Sequence, residues 1–117
     1  MFNTRIRFEG MASDHVHDKP QKIGTKIELS EVQNLKWQVL VSCGQMGGTF
    51  RPLVHQSFDS QEAKQVFLKA IKDAFDRSET PAWIEKPGLE RYSSVRLEGD
   101  AAKAAVTDLQ IEWAMKT

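Results

Sequence analysis

Between residues 59 and 77 a run of apolar positions recurs at Ala63, Val66, Phe67, Ala70, Ile71, Ala74 and Phe75. Steps of three and one draw a single stripe down a helix of 3.6 residues per turn, so the pattern predicts one long amphipathic helix, Asp59 to Arg77. Asp59 or Ser60 is placed to accept a bond from an orphan amide at its start. Glu62, three residues after Asp59, is placed to reach back to the cap. Ser78 to Pro81 ends the helix, because proline donates no amide hydrogen and turns the preceding residue away from helical geometry.

Elsewhere the period is two. Phe2, Ile6 and Phe8 alternate with Arg5, Arg7 and Glu9, which predicts a half-buried first strand. Ile27 and Leu29 predict a short second strand within Thr25–Leu29, and Ser30 to Gln33 reads as a turn. Leu35, Trp37, Val39, Val41 and Cys43 share one face of the clearest strand, and Leu40 breaks its polar face. GQMGG then reverses the chain into Thr49–Phe58, where Phe50, Val54 and Phe58 share a parity and Pro52 predicts an edge or a bulge. Gly10 to Gly24 has little period and reads as a loop, and Pro81 to Gly88 reads as an extended connector in which Trp83 and Ile84 cap the core. Arg91–Leu97 is a further strand.

The C-terminus carries two patterns at once. Asp100 to Val106 is alanine-rich and predicts a short helix. Leu109, Ile111, Trp113 and Met115 then alternate with Gln110, Glu112 and Lys116, which predicts a last strand, since a continuous helix would throw Ile111 off its stripe. Together these elements predict an α+β fold for residues 1–117 as a single domain. It is an antiparallel sheet of five to six strands with the 59–77 helix on one face, in a two-layer sandwich.

Composition narrows the function classes. Sixteen basic residues balance sixteen acidic ones, a formal net charge of zero. That opposes phosphate-backbone binding, so nucleic acid is not an expected partner, and it removes the self-repulsion that discourages a homodimer. Cys43 is the single cysteine. No intramolecular disulfide can form, and a reducing, cytoplasmic setting is expected. MFNTRIRFEG lacks the apolar run of a signal peptide, and no stretch reaches the ~20 apolar residues of a membrane span.

Candidate chemistry is sparse. SDHVHD places Asp14, His15, His17 and Asp18 within five positions, and imidazole with carboxylate suits a divalent metal such as zinc. Against this, a metal site needs a further ligand, and His55 is the only histidine left. Cys43 with His55 across the hairpin could form a thiolate–imidazole pair, but hairpin register sets the two apart and makes Cys43 a small buried hydrophobe. CGQMGG joins two strands and lacks the Lys-Ser/Thr of a phosphate loop, so it is a turn. Lys69, Asp73 and Arg77, at four-residue spacing, read as a solvated ladder. The expectation is therefore a small non-enzymatic binding protein that self-associates and takes a protein or small-molecule partner between sheet and helix. The alternative is a small metal-dependent enzyme using the 14–18 loop.

Overall fold

The computed structural model describes residues 3–14, 19–32, 36–45, 51–88, 90 and 93–115, and of 12–14, 19–21, 45, 51 and 115 the backbone alone. Six strands and two helices follow in the order β1 (Asn3–Asp14), β2 (Lys19–Val32), β3 (Lys36–Gln45), β4 (Arg51–Ser57), α1 (Ser60–Asp76), β5 (Thr80–Pro87), β6 (Ser94–Glu98) and α2 (Gly99–Met115). The strands form one antiparallel sheet in the order β4-β3-β2-β1-β5-β6.

Alternation decides which face of the sheet is dry. Thr4, Ile6 and Phe8 of β1, Thr25, Ile27 and Leu29 of β2, Val39 of β3 and Ile84 of β5 are all buried. The register sets Ile6 beside both Ile27 and Ile84, and Leu29 beside Val39, so these side chains share one face. Ala63, Phe67, Ile71 and Ala74 of α1, with Ala102, Val106 and Trp113 of α2, complete the core. Fully burying a side chain such as Phe67 or Ile71 stabilises the fold by roughly 1.5–3 kcal/mol. Phe8 meets Phe75 edge to face with ring centroids 5.3 Å apart, and Phe67 tilts against Trp113 at 5.4 Å.

The opposite face is ionic. Glu28 forms ion pairs with Arg5 at 3.5 Å and Lys26 at 3.3 Å, and Arg96 reaches Glu85 at 3.1 Å and Glu98 at 3.2 Å. These exposed pairs are worth about 0–1 kcal/mol each and keep that face wet. Trp83 lies on this side with the Arg96 guanidinium 4.5 Å above its ring, so it does not cap the core as Ile84 does.

Three expected loops or turns are strands. The 10–24 segment continues β1 to Asp14 and opens β2 at Lys19, with Gly10 opposite Ile23 and Gly24 opposite Glu9. Gly10 is a close-approach residue, not a breaker: a Cβ there would lie 3.0 Å from the Glu79 Cγ and 3.2 Å from its Cα. Ser30 to Val32, expected as a turn, extends β2 against β3. The Pro81–Gly88 connector is β5, paired with β1 and β6; Pro81 is tolerated because the β1 register slips at Arg7/Phe8, a bulge that needs no donor there.

The largest correction is α2, one 17-residue helix where a short helix and a strand were expected. Gly99, at φ 59, turns the chain from β6 into it. Ala102, Val106, Leu109 and Trp113 face the core at helical spacing, and Ile111 is left 55% exposed. The helix thus gives up one isoleucine to bury an aromatic ring, and two helices, not one, cover the sheet. Trp113→Ala should lower unfolding free energy by about 3–5 kcal/mol. Ile111→Lys should change it by less than about 0.5 kcal/mol in urea denaturation, as for an exposed site; a strand would show a large loss for both.

Candidate functional site

Helix α1 crosses β2, β3 and β4, and on the β4 side it leaves a groove of about 290 Å³. Val39 and Val41 form its floor, Val66 and Ala70 its helix wall, and Leu53, Val54 and His55 its strand wall; Lys69, Asp73 and Arg77 make the outer lip and Cys43 one end. The helical ladder expected to face only solvent therefore borders the apolar cleft.

Local chemistry ties down both ends of the groove. At its start, Asp59 caps α1 by accepting from the Gln61 amide at 2.9 Å. Glu62 does not reach back to the cap. Its carboxylate instead accepts from Ser57 Oγ at 3.0 Å and meets His55 Nε2 at 3.1 Å, holding β4 to the helix.

At the far end α1 stops in a Schellman turn: the Glu79 amide donates to the Ala74 carbonyl and the Ser78 amide to that of Phe75, with Ser78 in the left-handed region at φ 63. This turn drives Glu79 inward until its side chain is 1% exposed. Thr25 Oγ1 donates to Glu79 Oε1 at 2.7 Å, Arg77 Nε donates to Oε2 at 2.7 Å, and Arg77 Nη2 donates to Thr25 Oγ1 at 3.1 Å. A buried carboxylate without such partners would be strongly disfavoured; here charge-assisted bonds satisfy both oxygens. Burial works against the Arg77 charge, but the Glu79 hydrogen bond and charge, with Cys43 and Asp73 adding to them, prevail and hold the guanidinium above its ordinary pKa.

A second cavity of about 240 Å³ adjoins this knot and is lined by Ile23, Gly24, Thr25, Cys43, Gly44, Arg77 and Glu79. Cys43 and Arg77 border both hollows. Cys43 keeps the parity of Trp37 but is exposed, contrary to the buried role expected of it, because it lies near the end of β3 beside two hollows. The Thr25 hydroxyl lies 3.7 Å from its sulfur, although its single hydrogen is better used on Glu79. His55 pairs with Val39, four residues back along β3. At about 3.3 Å per residue this sets thiol and imidazole roughly 13 Å apart along the strand, as the hairpin register implied, so they form no nucleophile–base pair.

The proposed metal ligands His15, His17 and Asp18, and the Asp14 side chain, lie outside the described residues. Among the described residues no three His, Cys, Asp or Glu side chains gather where they could hold a metal ion. The face of β4 is also reversed from expectation. The register turns Leu53 and His55 toward α1 and Val54 toward the open face, where it pairs with Leu40. Leu53, Thr25 and Glu79 were missed as site residues. The only trace of Glu79 in the sequence is a charge placed between the helix stop and Pro81, at the start of a strand.

Comparison with family models, curated proteins and solved structures finds no match for this chain.

Glu79→Ala should destabilise the protein by about 2 kcal/mol, the scale of a hydrogen bond to a charged group, and Glu79→Gln by less, since the amide still serves Thr25. Gly10→Ala should lose about 1–3 kcal/mol through crowding. Part of that loss should vanish in the Glu79→Ala background, where the Cγ is gone. A double-mutant cycle by chemical denaturation measures the coupling.

Proposed function

We propose that this chain is a non-enzymatic protein-interaction module, two layers of sheet and helices, that binds an extended strand along β4 in the groove beside α1. The observation that carries this reading is Leu53. Its parity is that of the core, opposite Val41, yet it is 73% exposed above an apolar cleft. Single exposed leucines are common, but this one stands beside Val41 on the strand that ends the sheet among the described residues. An exposed leucine of core parity, beside a strand edge that no described strand covers, marks a contact surface.

Groups that could do acid–base work near the groove are already engaged with one another. Glu79 is held by Thr25 and Arg77, and Glu62 by His55 and Ser57. The lip itself alternates in sign, Lys69, Asp73 and Arg77, so it presents no cationic field for a free anion. Apolar floor, mixed lip and a strand edge that no described strand covers together fit a polypeptide better than a small charged metabolite. An exposed single thiol accords with a reducing cytoplasm, where we place the chain. Among the described residues no helix is long and apolar enough to cross a membrane.

Selection of displayed random peptides on the immobilised protein at nanomolar density tests this. Expected are extended peptides with apolar residues at alternate positions, whose affinity falls at least about tenfold for Leu53→Asp, equivalent to about 1.4 kcal/mol. Recovery of no binder, or of binders indifferent to Leu53→Asp, overturns the reading.

A further inference from the structure

The two edges of the sheet are built differently. On β6, Arg96 and Glu98 stand among five residues, and Arg96 is tied across to Glu85. Charged side chains of this kind discourage a further strand from pairing. On β4 and its exit, PLVHQSF runs from Pro52 to Phe58 without a Lys, Arg, Asp or Glu. Pro52 itself sets the geometry. It has no amide hydrogen to give to β3, so its nitrogen faces outward, and the two-residue period puts the backbone groups of Val54 and Gln56 outward with it.

We infer that the strand bound along β4 is β4 of a second copy, paired antiparallel about a two-fold axis at Val54, so that two sheets join into one. This rests on the reading of the β4 groove as a strand-binding site. With Val54 opposite Val54 of the second copy, the two exchange both of their backbone hydrogen bonds, and each Gln56 amide donates to the Pro52 carbonyl across the axis. The missing Pro52 amide costs nothing there that a shorter pairing would keep. On the helix side the same register puts Leu53 against His55 of the second copy, covering the core-facing leucine.

Charge does not oppose a second copy. Because α1 lies across β2 to β4, centred on β3, the two α1 helices stand three strand spacings apart, roughly 14 Å. Long lip side chains span that seam. A two-fold runs the two lips antiparallel, each carrying Lys69, Asp73 and Arg77 in alternating sign. The net charge of zero leaves no global repulsion to overcome.

Sedimentation velocity across micromolar to millimolar concentration tests the assignment. The expected result is a dimer of twice 13.3 kDa. Leu53→Asp and Val54→Pro should each raise the dimer dissociation constant at least about a hundredfold with unchanged far-ultraviolet circular dichroism. Neither change touches the monomer fold, since Leu53 is largely exposed and the Val54 amide faces outward as Pro52 does. In the wild type, the Val54 and Gln56 amides should gain exchange protection with concentration. A monomer at millimolar concentration overturns the inference, as does a dimer that survives both substitutions. If the protein is monomeric but selected peptides still depend on Leu53, the second copy is wrong and the strand-binding groove stands.

Discussion

Two helices cannot cover six strands. A sheet of six, at about 4.8 Å per strand, is roughly 29 Å wide, whereas two helices of about 10–12 Å span 20–24 Å. About one strand must remain bare, and the chain decides which. Helix α2 settles over β5 and β6 through Ala102, Val106 and Trp113, and α1 spreads across β2, β3 and β4 through Phe67 and Ile71. The shortfall falls at β4. Its core-facing leucine is consequently exposed, and the groove is the space a third helix would have filled.

The position of that shortfall is held by polar anchors, not by packing. Glu62 binds Ser57 and His55 and so pins the start of α1 to the end of β4. At the other end the Schellman turn buries Glu79 between Thr25 and Arg77 and pins the helix exit to β2. Apolar contacts alone would let a helix slide on a sheet, because they are not directional. Two hydrogen-bonded ends fix both its line and its offset, and the groove inherits its shape from them. Gly10 belongs to the same device, since a side chain there would crowd Glu79 where β1 passes it.

What was legible in the sequence follows from which signals are local. The α1 stripe, its Asp59 cap and its stop at Ser78 depend on residues within one or two turns of each other and are read directly. The alternation in β1 and β3 is equally local, and Pro52 correctly marks an edge. The 10–24 segment failed because Gly10 answers to Glu79, 69 residues away in sequence, and a glycine placed for close approach looks like one placed for a turn. In α2 two periods coincide at Leu109 and Trp113, and only the contact with Phe67 on another element chooses between them. The face of β4 is set by hairpin register, which one residue of slip reverses.

The candidate site was the least legible part for the same reason. Its members come from β2, β3, β4, α1 and the turn after it, and none belongs to a spaced motif. Leu53 looks like any strand leucine until the width of the sheet is compared with that of the helices above it. The Lys69, Asp73 and Arg77 ladder is a common solvated pattern until it is found bordering an apolar cleft with half-buried Val41 and exposed Leu53. A surface made by incomplete coverage has no signature in the residues that form it. It arises from the mismatch between elements and is hidden from a reading of the chain for that reason: Leu53 is a residue of core parity, and no described element covers it.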